Sequence, residues 1–376
     1  MASVLDPRLH TDTEVASQWR LMWWSFRRHT LAMVGLVIVL LLYLIGFFAE
    51  FVAPFDPQSA SAKHVYHPPQ MIHFIDSTEE GWRIKPWVQA YTFERDKFTL
   101  QTTFKPDEGK RIYLSFLGKG TPYELLGLFP AERRLLVPDE PNERFFLFGA
   151  DRLGRDMLSR TVFGTRVSMS IGLVGVTLSL LLGVLLGGIS GYYGGAVDMV
   201  IQRVVEFVLS LPTIPIWLAL TASLPATWPP LTRYFAITLI LSLVGWTELA
   251  RVVRGRFLAL RSEDFVVAAR LDGCSEKRVI FRHMLPSLMS HVIASVTLAI
   301  PVMILAETSL SFLGLGLLPP TISWGVLLKE AQNIRSIAQA PWLFVPGAFV
   351  LVAVLALNFL GDGLRDAADP YAQERG

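Results

Sequence analysis

Three carboxylates stand in or near long apolar stretches: Glu206, Glu248 and Glu307. An acid inside a bilayer is costly, so a retained one marks a solute path or a contact between helices. Glu206 follows Arg203 by three residues and Glu248 precedes Arg251 by three. That spacing puts each pair on one helix face as an ion pair. Glu307 has no basic neighbour in sequence. It is expected to face the interior or a partner subunit, and is a weak candidate for the translocation path. His64, His67 and His73 are close in sequence but have no matching Cys or carboxylate spacing, so no metal site is assigned. Asp151 and Asp156, in DRLGRD, read as loop and helix-start residues rather than a hydrolytic pair. The chain contains no GxxxxGK[ST], HExxH or GxSxG. No catalytic residue and no ATP site or other cofactor of its own is therefore expected.

The most informative run is 263–286, EDFVVAARLDGCSEKRVIFRHMLP. Residues 265–271 are good helix formers, and Gly273 can end that helix with a positive-φ turn. Ser275 offers an N-cap for a second helix carrying basic residues, which ends at Pro286. The expected product is two short helices at an angle. The apolar side of such a helix needs either a protein partner or the bilayer surface, and the residues alone leave both open.

These residues must be positioned by membrane spans. The chain has 376 residues, 52% of them hydrophobic, and a mean hydropathy of +0.43. Few soluble domains are so apolar. The net charge of +2 gives no field for nucleic acid, and a single cysteine, Cys274, excludes an internal disulfide. A bilayer core about 30 Å thick needs about 20 apolar residues per helix. Six segments qualify: 31–53, 167–190, 197–223, 234–253, 287–310 and 342–360. Pro212, Pro215 and Pro301 interrupt the third and fifth. The first segment is too long for a cleaved leader and reads as a retained anchor. Gly183, Gly187, Gly188 and Gly191 form a small-residue stripe suited to close helix packing rather than to a gating hinge.

Basic residues set the orientation. Arg20, Arg27 and Arg28 precede the first span, so the N-terminus (1–30) is expected in the cytoplasm. Six spans return the tail (362–376) to the same side. The loop between spans four and five lands there too, and its eight Arg and Lys residues between Arg251 and Arg282 agree independently. Residues 54–147 differ in composition, being polar, aromatic and broken by proline. Runs at 87–93, 98–104 and 111–117 alternate as half-buried strands do. A small β-rich insertion outside the membrane is expected, with a helical piece near 123–128; the alternative is a loop without regular structure.

The 263–286 run resembles the "EAA" loop of ABC importer permeases. Ala268 and Ala269 are followed by Gly273 four residues after the second alanine, then by Leu285 and Pro286. Val267 stands where the eponymous glutamate often does. Other stretches are similar to the second-subunit branch of the oligopeptide/dipeptide permeases: WWSFRRHTLAMVGL and APFDP at the first span, FGADRLGRDMLSRTVFGTRVS at 148–168, GYYGGAVD, ETSLSFLGLGL, SWGVLL and NFLGDGLRDAADP. The resemblance covers most of 20–55 and 148–370, but not the insertion. It implies an all-α polytopic membrane protein of six transmembrane helices, with a permease core at 148–361 and a coupling loop at 254–286. It further implies a prokaryotic inner membrane, a homologous permease partner forming a heterodimer, two cytoplasmic ATPase subunits that hydrolyse ATP, and an extracytoplasmic binding protein. Ala268, Ala269, Arg270, Leu271, Asp272, Gly273 and Glu276 are the residues expected at the ATPase contact. Peptide is the branch's usual cargo, with oligosaccharides or another solute as the alternative. A reading of another class is a membrane-anchored enzyme or sensor acting through 58–147.

Overall fold

The computed structural model describes residues 18–78, 81–95 and 102–368. Helix α1 (Gln18–Arg28) leads into α2 (Thr30–Phe47), the first span. The expected span of 31–53 is divided at Phe48, and a separate turn, α3 (Ala49–Val52), follows. The division has a tertiary cause. The Arg166 guanidinium donates to the carbonyls of Gly46 (2.7 Å) and Phe47 (3.0 Å) and forks onto both oxygens of Glu50 at 2.5–2.6 Å. The last carbonyls of the helix are thus engaged by a side chain.

Between the first two spans lies a β-domain. Strands β1 (Ile72–Thr78), β2 (Gly81–Arg95) and β3 (Thr102–Phe116) pair antiparallel in that order, and β6 (Leu136–Pro138) adds to β3. Alternate residues Val88, Ala90, Ile112, Leu114 and Leu136 close on Phe145 as a small core. The runs at 87–93 and 111–117 fall on β2 and β3, while 98–101 of the middle run lies outside the described residues. The helical piece expected near 123–128 is instead a hairpin, β4 (Lys119–Leu125) and β5 (Phe129–Arg133). Tyr123 pairs with Ala131 and Leu125 with Phe129, a hairpin pairing that outweighs the helix propensity of Glu-Leu-Leu.

Helix α4 (Met157–Tyr193) has 37 residues, about 55 Å at 1.5 Å each, so it extends well beyond a bilayer core. Asp156 caps it, accepting from the Ser159 amide at 2.7 Å, as its reading as a helix-start residue requires. The third expected span is a bent pair, α5 (Gly195–Ser210) and α6 (Thr213–Ala222), meeting at 84°. Pro212 forces the bend: it has no N–H to give, and it holds Leu211 extended at ψ 137°. Helix α7 (Pro230–Leu260) returns along α4. The glycine stripe makes this contact close, with Gly183 against Leu249, Gly187 against the Ala250 backbone, and Gly188 and Gly191 against Phe257.

After α7 come α8 (Asp264–Leu271) and a short α9 (Glu276–Arg278). A π-helical turn (Val279–Met284) then leads without a break into α10 (Leu285–Phe312). The second short helix therefore runs through Pro286 into the fifth span. Pro286 follows the π-helical turn directly, and the wider turn accommodates a residue that has no N–H to give. Helices α11 (Trp324–Glu330), α12 (Ile334–Gln339) and α13 (Val345–Ala368) complete the chain. Among the described residues five helices are long and apolar enough to cross a membrane, or six spans if the bent pair counts as one. The main core joins α2, α4, α7, α10 and α13, with Trp324 wholly buried among them.

Candidate functional site

The site of interest lies at the end of the bundle away from the β-domain, where α4 ends and α7 turns into α8. Helix α8 is amphipathic on a short scale. Val266 and Ala269 are buried in a cluster with Tyr192, Phe257, Val279 and Met284. Ala268, Asp272 and Leu271 face outward, Leu271 at 83% exposure. The helix closes in a Schellman turn: the Gly273 amide donates to the Arg270 carbonyl (3.0 Å) and the Cys274 amide to that of Ala269 (3.1 Å). Gly273 has φ +74°, a left-handed angle that glycine adopts most readily. Cys274 folds back onto the same cluster as Ala269.

Two tyrosines at the end of α4 brace this turn. Arg270 lies over the Tyr192 ring at 5.1 Å, a cation–π contact. The Tyr193 hydroxyl donates to Glu276 at 3.2 Å. Nearby, Arg254 of α7 forks onto Asp198 of α5 at 2.5 and 2.6 Å, and the Ser190 hydroxyl donates to the same carboxylate. The start of the bent pair is thus tied to the helix that carries α8. Ala268, Ala269, Arg270, Leu271, Asp272, Gly273 and Glu276, the residues expected at an ATPase contact, lie together on one turn. Ala269 points inward, however, and Arg270 and Glu276 are held by the tyrosines. Tyr192, Tyr193, Asp198 and Arg254 are functional neighbours that the sequence signals only through the paired tyrosines of GYYGGAVD.

Glu307 sits in the other half of the bundle and is wholly buried within the chain. Three serines donate to it: Ser311 (2.7 Å), Ser323 (2.8 Å) and Ser168 (3.3 Å). Each serine in turn accepts a backbone N–H, from Leu317, Val326 and Trp324 respectively. The carboxylate therefore joins α4, α10 and the loop leading to α11 in a satisfied polar network. Arg203 and Glu206 form the expected i,i+3 pair at 2.7 Å on an exposed face of α5. Glu248 is exposed on α7 and forms no ion pair with Arg251 among the described residues.

Of the three histidines, His67 is boxed by Phe104, Phe146, Tyr91 and His64. Burial pushes its imidazole down to about 4. His73 stacks on Trp87. Among the described residues no group of three or more His, Cys, Asp or Glu converges to hold a metal.

Residues 183–373 match the family of binding-protein-dependent transport system inner membrane components, a region that includes α8, its glycine turn and the fifth and sixth spans. This chain belongs to that family. Residues 17–69 of this permease also match the N-terminal transmembrane domain of oligopeptide transport permease C. It is 36% identical over 237 residues to the oligopeptide transport system permease protein OppC of Bacillus subtilis (strain 168), covering 63% of this chain and 75% of that one. It is 37% identical over 225 residues to the dipeptide transport system permease protein DppC of the same organism, covering 59% and 68%. Among solved structures it is similar to the MetNI methionine ABC transporter in inward-facing conformations, at 16% identity and a TM-score of 0.45, covering 57% of this chain and 98% of that one.

Proposed function

We propose that this permease imports peptides across a prokaryotic plasma membrane as one half of a heterodimeric pathway, driven by two separate ATPase subunits and fed by a binding protein. Its N- and C-termini lie in the cytoplasm and the β-domain outside, as the basic residues around the first span and the 251–282 loop favour. It is a transport subunit; its partners hydrolyse the ATP. The observation that carries the reading is α8. Two inward residues, Val266 and Ala269, fix it to the bundle, while Ala268, Leu271 and Asp272 stay free to meet another protein. An ATPase that grips that face in only one of two states would bias a bistable set of spans, since a partner shifts an equilibrium only by its differential contacts. The glycine turn and the tyrosine braces pass that movement to α4, α7 and α10.

Peptide cargo rests on the named cargo of the relatives. The test is to purify the complex with its binding protein and identify the bound solute by mass spectrometry. Peptides are the expected result. A sugar would overturn the substrate but leave the coupling intact.

A further inference from the structure

The β4–β5 hairpin ends in Leu126-Gly127-Leu128-Phe129. Hairpin tips in water favour Asn, Asp and Gly, because those residues tolerate positive φ and are solvated. Here Leu126 takes φ +55° and Gly127 φ +70°. Leu128 and Phe129 are 73% and 63% exposed, and Leu126 is 38% exposed. A strained, apolar tip is the opposite of what an aqueous turn selects.

Its position supplies the explanation. The strand that leads to the tip, Lys119–Leu125, packs on the turn that follows the first span, Ala49–Val52. At the hairpin's far side Arg134 donates to the carbonyls of Glu50 (3.0 Å) and Ala53 (2.7 Å), and the Leu135 amide to that of Phe51 (2.8 Å). Phe47 and Phe48, which close the span, are themselves exposed at 51% and 38%. The outward face of the span is apolar in the same way, with Leu40, Leu41 and Leu44 about equally exposed. Polarity reverses toward the hairpin's base, where Lys119 and Glu132 are exposed and 3.7 Å apart.

We propose that residues 126–129 are a bilayer anchor, which dips into the boundary between headgroups and acyl chains beside the end of the first span and fixes the β-domain's height above the membrane. The occupant is lipid, as an apolar tip with a charged base requires. The test uses the full chain with its partner subunits in nanodiscs, with the native thiol removed as Cys274→Ala. A single cysteine at Leu128→Cys, or at Phe129→Cys as a second site, carries an environment-sensitive fluorophore. Glu132→Cys serves as the control. The expected result is quenching by spin-labelled lipid several-fold stronger than by aqueous iodide at both tip sites, and the reverse at the control. Tip sites open to iodide would place the hairpin in water and overturn the proposal. Tip sites shielded from both quenchers would overturn it as well, by showing that a protein covers them.

Discussion

At the scale of single residues, the constraint on Gly273 is local and that on Glu307 is not. Gly273 was legible because its constraint is local: a helix of known length ends and a positive-φ residue follows. A side chain there would meet open space, so only the backbone angle of +74° is at stake. Gly273→Asn, which tolerates that angle, is expected to retain uptake. Gly273→Pro, whose ring holds φ near −65°, is expected to keep ATPase activity but lose coupled uptake. Both are measured in proteoliposomes with the ATPases and the binding protein, and uptake by the proline variant would remove the turn from the mechanism. Glu307 was legible as an oddity but its partners were not. Ser168 lies 139 residues away and is brought to it by packing. Since all three serines donate to Glu307, Glu307→Gln turns one accepting atom into a donor. That strands a buried hydroxyl at a cost of about 1–3 kcal/mol. A lowered unfolding temperature of the purified chain in detergent is the expected outcome, and an unchanged one would mean that the network rearranges freely.

At the scale of elements, the spans were legible because apolar length is a property of each segment alone. Their interruptions were legible only in part, since α10 runs on through Pro301 and α6 through Pro215, where breaks were expected. Pro212 announced the bend between α5 and α6, whereas the break after Phe47 comes from Arg166, about 120 residues on. The hairpin at 119–133 was misread for a different reason: its cause is local, a positive-φ turn at Leu126 and Gly127, but Glu-Leu-Leu reads as helix. The glycine stripe was read correctly as packing, and the structure grades its members. A methyl at Gly187 would strike the Ala250 backbone, which cannot step aside, whereas one at Gly255, on the same α4–α7 pair, meets nothing within 4 Å. Gly187→Ala is therefore expected to lower stability. Gly255→Ala should raise it by about 0.5–1 kcal/mol, the ordinary helix gain. Thermal unfolding of the two variants side by side checks the sign; two stabilised proteins would mean that α4 and α7 separate at little cost.

At the scale of the whole molecule, the sides of the bundle are unlike. On α4, Leu173, Leu181 and Leu185 are exposed with no charge among them, a surface suited to lipid. The bent pair presents something else. Helix α5 buries only Val205 and α6 only Thr221, so the chain by itself covers little of either. Arg203 and Glu206 lie on the open face of α5, with side chains 76% and 56% exposed, and Glu248 is open on α7. A charge left facing hydrocarbon costs several kcal/mol, about 2.5–3.5 at mid-bilayer on insertion scales. Charges retained on an open face therefore belong to water or to another subunit, which supports the proposed second permease subunit. The expectation is specific. In a Cys274→Ala background, Glu206→Cys and Glu248→Cys should react with a charged, membrane-impermeant thiol reagent in the assembled complex, and ATP-analogue binding should change their rates. Leu181→Cys should stay inert in both states. Equal inertness at all three would place the acids in a sealed interface, while reaction at Leu181→Cys would mean that the path runs along α4 and that lipid and pathway faces have been exchanged.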